Sequence, residues 1–579
     1  MMNSFGDTTD RLRPSGGTGT GPLVSVLMPT YNRRRYMAGA LASALAQTHR
    51  NLEIFVIRDG GEQVADVVRS FRDPRVVFID RQDNRGKPRS LNEALAKAQG
   101  KYVAYLDDDD IWYPHHIETL VHALETQTDC QAAYSDLYRV YCQVRPDGER
   151  VVLSKHVEIS RDFDRFLMLY FNHVLHVSLM HRRDLLEKTG PYTESLNILI
   201  DWDINRRLAF FSDFHHVLSI TGEFYCPLKE SDRISDVRRR DSEDYLRNVL
   251  TIRTTNPPKP WPKMDELSII VALDRLDHEV GQTLMRVWRH TFYPYRLYLP
   301  LPPADVARLE SDMPNVVLVP VEPQSSVDER VDVALQQAEG EYVAVVPIGL
   351  PIEDMWVEDA VHAIIHNGAA REGFLLEGPD PARRGVVVRR ADLLRARNAY
   401  PHLSVEASLT ACGIRVRSPG PQELPFQFDE LLRQGKTAEA DGNWSLAARL
   451  FEQMGERYHN ELWMKTMAAR AYFEAGSHTE AARLSREVNA VRPAIDTLLL
   501  EAKVRRQKRD FAGAIQLLSE AERWLSGAEI QIRDGGSANP TPPAPQARIS
   551  KPEARNKLSA LEEIRRKETQ RFQRRRKTK

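Results

Sequence analysis

Between residues 22 and 106, short apolar runs alternate with stretches of helical periodicity. That alternation restricts the segment to a mostly parallel β-sheet with helices on its faces. Residues 23–28 (LVSVLM) form a buried strand, stopped by Pro29, Thr30, Tyr31 and Asn32. Met37, Leu41, Ala44 and Leu45 then fall on one side of a helix. Residues 52–57 make the next strand, ending at Arg58, Asp59, Gly60 and Gly61; 64–71 reads as helix, 76–79 as strand, 90–99 as helix and 102–106 as strand. Ligands in such sheets bind beyond the C-terminal strand ends. Three of these ends carry polar residues: Thr30-Tyr31-Asn32, Asp59-Gly60 and the block Asp107 to Asp110.

Four adjacent aspartates make no sense as packing, because like charges repel and carboxylates resist burial. A hard divalent cation would relieve them, and Mg²⁺ in particular takes one or two carboxylates together with substrate phosphates. The block therefore reads either as a metal-diphosphate site or as a solvated acidic turn. Gly60 and Gly61 permit close backbone approach to a ligand, although a Gly-Gly pair alone is equally an ordinary turn. Neither Gly-x-x-x-x-Gly-Lys nor Gly-x-Gly-x-x-Gly follows the first strand, which argues against P-loop hydrolysis and dinucleotide binding.

At 579 residues the chain should hold several domains. Lysine plus arginine (80) nearly equals aspartate plus glutamate (81), so global charge names no nucleic-acid or membrane partner. Cys130, Cys142, Cys226 and Cys412 lack metal-ligand spacing and read as reduced thiols. With no bilayer-length apolar run and no signal-peptide pattern, the expected location is the cytoplasm.

The blocks VSVLMPTYNR, VIRDGG, NRGKPRSLNEALAKAQGKYVAYLDDDDIWYP and GPYTESLNILIDWDINRRLA, in that order, resemble family 2 glycosyltransferases of the GT-A fold over about residues 22–225. The resemblance implies a nucleotide-diphospho-sugar donor, a divalent metal (Mg or Mn) and inversion at the anomeric carbon. Carried over by position, Pro29, Thr30, Tyr31, Asn32 and Asp59 would line the nucleoside pocket, with Asp59 accepting from the base. The family usually has two acids before the glycine; here the first is Arg58, which leaves the nucleobase open. Lys87, Arg89 and Asn92 fall at donor-side positions, where cations steady a diphosphate. Asp107 and Asp109 match the Asp-x-Asp pair as metal ligands, while Asp108, also on the donor side, and Asp110 would tune the field. Asp201 matches the general base; Asp203 would orient the loop or pair with an arginine, and Trp202 would either stack on a sugar or sit in the core. His173 and His176 lie three apart, as on one helix face, but lack a third zinc ligand and read as buried or acceptor-facing.

Beyond the proline-rich linker 256–263 there is an internal repeat. LSIIVAL (267–273) echoes VSVLMPT, and PNVVLVP and ALQQAEGEYVAVV repeat earlier segments at an offset of 240 residues. Residues 107–110 map onto Pro347, Ile348, Gly349 and Leu350, so the second copy lacks the acidic block. VVVRRADLL (386–394) likewise echoes SLMHRRDLL (178–186). After about residue 420, helical segments align with Ala447, Ala481 and Ala514 equivalent, 34 and 33 residues apart. That period resembles tetratricopeptide repeats, with Gly435, Tyr472 and Pro493 at family positions. NPTPPAPQ (539–546) is a second linker, and 551–579 carries 12 lysines and arginines against 4 glutamates.

The expected organisation is a tail (1–21) with too little apolar surface to order, a catalytic GT-A domain (22–255), the linker, and a degenerate α/β domain (264–420) that is catalytically inert. An all-α repeat region (421–527) and a basic tail (528–579) follow. The expected function is transfer of one sugar to a glycan, lipid-linked or protein acceptor in cell-surface glycan synthesis. A processive synthase is disfavoured, since its Gln-x-x-Arg-Trp block is absent. The repeats would bind a protein partner and the basic tail an anionic membrane, with no nucleic acid involved. The competing reading is a non-catalytic scaffold on a decayed glycosyltransferase domain; a nucleotidyltransferase would need a glycine-rich entry loop that is missing.

Overall fold

A computed structural model describes residues 21–145, 148–157, 160–227, 242–307, 309, 315–367, 371–377, 384–418, 427–457 and 461–525. The expected N-terminal tail up to residue 20, the polar stretch 228–241, the second proline-rich linker and the basic tail lie outside the described residues.

The first sheet has nine strands: β1 (Val24–Thr30), β2 (Leu52–Asp59), β3 (Val76–Arg81), β4 (Tyr102–Tyr105), β5 (Ile111–Trp112), β6 (Cys130–Val144), β7 (Arg150–His156), β8 (Leu179–Arg182) and β9 (Asp213–Pro227). Their order is β3-β2-β1-β4-β8-β6-β9-β5, with β7 pairing the edge of β6. Pairing is parallel from β3 to β4, antiparallel at β4-β8 and β8-β6, and parallel again at β6-β9. Both faces of β1 and β2 are covered by helices, which is why nearly every residue in these strands is buried rather than every second one.

A second sheet is built from β10 (Leu267–Ala272), β11 (Tyr295–Leu301), β12 (Val316–Pro320), β13 (Tyr342–Pro347), β14 (Glu372–Leu376), β15 (Gly385–Arg389) and β16 (Arg415–Arg417). Its order, β12-β11-β10-β13-β15-β14-β16, repeats the first seven positions of the other sheet, with the same sense of pairing at every step. One close approach is shared to the atom. Gly100 N–H donates to Ser25 Oγ at 2.9 Å in the first sheet, and Gly340 N–H donates to Ser268 Oγ at 3.0 Å in the second. The SLMHRRDLL echo is offset by one residue in three dimensions: Tyr102 pairs Arg182, whereas Tyr342 pairs Arg389.

The two sheets share a core. Leu27 and Phe55 belong to the same buried cluster as Ile269 and Phe292, and Phe166 packs on Tyr293 with ring centroids 5.4 Å apart. Six further helices, Gln427–Ala440, Trp444–Arg457, Glu461–Glu474, His478–Val491, Ile495–Gln507 and Phe511–Leu525, follow among the described residues. Ala447, Ala481 and Ala514 are fully buried at their crossings. This helical region is docked on the first sheet. Arg492 bridges to Asp136, and Ile495 N–H donates to Tyr138 Oη at 3.3 Å, within an apolar cluster that also takes in Tyr113, Val140 and Ile220. Asp136 is 2 % exposed and is also bonded by Ser160 and His216.

Two local expectations change. The helix expected at 90–99 spans Lys87–Leu95, because Pro88 suits the first helical turn, where its missing N–H costs nothing. His173 and His176 do not share a helix face: His173 lies in a loop and His176 opens the 3₁₀ turn His176–Ser178.

Candidate active site

The polar ends of β1, β2 and β4 sit side by side, since the three strands are parallel neighbours. At the end of β2, Gly60 (φ 74°) turns so tightly that a Cβ there would meet Asn84 N at 2.6 Å. Asp59 is bound internally: it accepts from the backbone N–H of Arg85 (2.9 Å) and Gly86 (2.8 Å) and from Arg81 (3.3 Å). It thereby fixes the loop from which the Lys87–Leu95 helix starts. Arg58 donates to Asp80 (2.5 Å), Gly61 O (2.8 Å) and Gln82 (3.3 Å). At the end of β1, Thr30 is buried, Tyr31 is exposed, and Asn32 (φ 55°) accepts from Glu62 N–H at 2.8 Å.

Asp107, Asp109 and Asp110 each place a carboxylate oxygen within 4.8 Å of the others. Lys87 Nζ contacts Asp107 at 2.6 Å. Burial pushes the Asp107 carboxyl up, but Lys87, His176 and Arg33 outweigh it and hold it at about 2. Asp108 is pushed up to about 7 by burial, against Arg33 and with help from Asp109 and Asp107, and its Oδ2 has no hydrogen-bond partner among the described residues. The convergent set of Asp107, Asp109 and Asp110 is all oxygen and so fits a hard divalent ion. Asp110, expected only to tune the field, is one of the three convergent residues; its Oδ1 accepts from Tyr225 N–H of β9 at 2.9 Å.

Two cations close to the block were not anticipated. Arg33 reaches Asp109 at 2.8 Å and Asp108 at 3.4 Å. Arg150, from β7, donates to Asp109 O at 2.5 Å and lies over the rings of Tyr36 (3.7 Å) and Tyr225 (4.5 Å). Arg33 directly follows the Asn32 strand end and could have been found there; Arg150 enters through the β6-β7 hairpin, which has no local signature.

Asp201 opens the helix Ile200–Leu208 after Leu199, which adopts a left-handed φ of 61°. Burial raises its pKa above the usual carboxylate range, with Lys87 opposing, and Asn172 Nδ2 donates to its Oδ2 at 2.8 Å. Lys87 thus acts electrostatically on both the aspartate block and Asp201. Asp203 does pair with an arginine, Arg207, at 2.6 Å, and accepts from Thr193 at 2.9 Å. Trp202 is a core residue, 4 % exposed, donating to Met168 O. Arg89 bonds Glu194, while Asn92 bonds the Tyr192 backbone through both ends of its amide, so this pair ties down the 192–194 segment. His176 stacks on Tyr105 (4.0 Å) and bonds Tyr192 Oη (2.8 Å); burial and then Lys87 take it down to about 3, as burial and Arg161 do for His173. No helix among the described residues is long and apolar enough to cross a membrane.

An uncharacterized glycosyltransferase of Rickettsia prowazekii is 30 % identical over 197 residues, covering 32 % of this chain and 57 % of that protein. An Escherichia coli protein named for colanic acid biosynthesis as a glycosyl transferase is 35 % identical over 103 residues, 17 % of this chain and 37 % of that one. The chain thus matches little more than half, or less, of these relatives' length. The structure of Staphylococcus aureus TarS 1-349 in complex with UDP-GlcNAc aligns at 18 % identity and a TM-score of 0.32, covering 40 % of this chain and 66 % of that one. Residues 25–180, which contain the ends of β1, β2 and β4 and the whole aspartate block, match the family model described as Glycosyl transferase family 2.

Proposed function

We propose that the chain is a metal-dependent, inverting glycosyltransferase that moves a sugar from a nucleotide-sugar donor to a hydroxyl acceptor in surface glycan or polysaccharide synthesis. The observation that carries this reading is the convergence of Asp107, Asp109 and Asp110, inside the matched family segment, with Lys87 in contact with Asp107 and acting electrostatically on Asp201 as well. A divalent ion, Mg or Mn, held by these carboxylates would supply positive charge against the donor's diphosphate. Lys87, Arg33 and Arg150 add fixed positive charge at the same place. The ends of β1 and β2, with Pro29 to Asn32 and the Asp59-anchored turn, border the nucleoside. Asp201 takes the proton from the acceptor hydroxyl as that oxygen attacks the sugar; burial raises its pKa and so makes it a better base than an exposed carboxylate, and Lys87 opposes that rise. A single base opposite a single leaving group corresponds to one displacement and hence inversion.

The second sheet is read as a degenerate copy of the first, supported by its strand order and the shared serine-glycine contact. The six C-terminal helices, with their buried alanines, are read as tetratricopeptide-like repeats that offer a surface to a protein partner.

Thermal unfolding against a panel of UDP- and GDP-hexoses, with and without Mn²⁺, tests the reading. One donor should raise the melting temperature only when metal is present. With that donor, Asp201→Asn should bind normally and transfer at least about a hundredfold more slowly. Transfer at the parental rate removes Asp201 from its role, and failure of every donor to stabilise the protein leaves the scaffold reading.

A further inference from the structure

The nine-residue helix Ile200–Leu208 carries Asp201 in its first turn. A helix that short is not stable alone, so its orientation comes from what packs on it. Part of the support is internal to the first domain. Arg207 bonds Asp203, Thr189 O and Gly190 O; Asn205 donates to Asn172 Oδ1 and Val174 O, both at 3.1 Å, and Asn172 in turn bonds Asp201.

The remaining support comes from a different element, the helix Ser242–Thr254, which leads into the second domain. It grips the Asp201 helix at both ends. Ahead of the Asp201 helix, Asn248 Nδ2 donates to Asn197 Oδ1 at 2.6 Å, three residues before Ile200. At the far end, Arg206 is completely buried and donates to Arg253 O (3.0 Å), Thr255 O (3.0 Å) and Asn256 Oδ1 (2.9 Å), with Phe292 O of the second domain at 3.5 Å. None of these four acceptors is a carboxylate. The guanidinium instead closes the C-terminus of the Ser242–Thr254 helix, where unpaired carbonyls and the negative end of the dipole attract a cation. A planar fork of five N–H donors reaches these diverging acceptors at once, which a lysine ammonium on a flexible stem does not.

We propose that the Ser242–Thr254 helix is a splint that holds the Asp201 helix in register with the aspartate block, and that Arg206 and Asn248 are its positioning residues. The inference rests on Asp201 being the base. It gives the junction with the second domain a part in the chemistry: whatever displaces that junction moves the base relative to the bound donor. A shift of about 1 Å at a reacting group can cost about a hundredfold in rate.

The test uses the full chain with Arg206→Lys and Asn248→Ala, Mn²⁺ binding read by electron paramagnetic resonance, donor affinity for the panel-selected nucleotide sugar, and kcat. Arg206→Lys should lower kcat by about ten- to a hundredfold and Asn248→Ala by about threefold to tenfold, while both dissociation constants stay within about twofold of the parent. Should Arg206→Lys fail to fold, the same split in Asn248→Ala decides. The splint is refuted if kcat stays within about twofold in both variants, or if metal and donor binding fall in parallel with kcat. Asp201→Asn run alongside separates the two failures. If it transfers at the parental rate the base assignment has failed; if it is inactive while both splint variants are normal, the splint alone has failed.

Discussion

Two sheets with one strand order end in opposite chemistry. Where β4 runs into Asp107 to Asp110, β13 runs into Pro347, Ile348, Gly349 and Leu350, the last only 2 % exposed. Register places Pro302 where the first sheet has Asp59, and Leu273 where it has Thr30. The cleft is filled as well. Arg330, at the position of Ser90, is buried and donates to Ser325 O (3.0 Å), Asp274 O (2.6 Å) and Pro323 O (3.0 Å), bracing the loops that in the first sheet border the proposed nucleoside pocket. By contrast, the serine-glycine contact survives in both sheets. The fold therefore requires the close approach of these two strands and does without the carboxylates, so their presence in the first sheet calls for a chemical explanation.

Four measurements press on this contrast, beginning with the largest effect. Asp109→Ala should abolish Mn²⁺-dependent donor stabilisation and lower transfer about a thousandfold. Arg330→Ala should leave buried carbonyls unpaired and cost about 3 kcal/mol in urea unfolding, with donor affinity unchanged. A loss of donor affinity comparable to that of Asp109→Ala would mean that the second sheet is not inert. Glu358, fully buried beside Phe292 and Tyr293, is raised to about 7 by burial despite accepting both their backbone N–H groups. Its folded value exceeds its unfolded value, so the folded state holds the extra proton. Its contribution to stability is present below about pH 4.5 and lost as pH rises to about 7. Glu358→Gln should remove that slope and raise stability at pH 8 relative to the parent by on the order of 2 kcal/mol. The smallest effect is expected at Arg89, whose bridge to Glu194 is nearly half exposed on both sides. Arg89→Ala should change stability by under about 1 kcal/mol. A rise in donor dissociation constant well beyond that would show a direct contact with the donor.

Strand alternation and strand-end chemistry were legible because they are local. Periodicity placed β1 to β4 and the acidic block stood out by charge, whereas Asp201 was singled out only by its position in the family resemblance. Helix starts were less legible: Lys87 and Arg89 looked like loop residues until Pro88 proved to occupy the first turn. The histidine pair misled because a spacing of three implies a shared face only inside a helix. Arg150 and Arg206 were not found at all. Each acts through partners that are distant in sequence, at separations of 41 residues to Asp109 and 86 to Phe292, and no window of pattern reaches that far.

The bridge between Arg492 and Asp136 spans 356 residues and so bears on how the chain is made. At about 5 to 20 residues per second, the ribosome delivers Arg492 roughly 20 to 70 s after Asp136. Throughout that interval the Asp136 carboxylate lacks Arg492 and has, among the described residues, the bonds from Ser160 and His216, next to the apolar patch around Tyr138 that the later helices cover. The nascent chain must therefore wait for its own C-terminal third before this face of the first sheet is covered. Truncation there leaves a sticky, incompletely neutralised surface for chaperones and proteases to find.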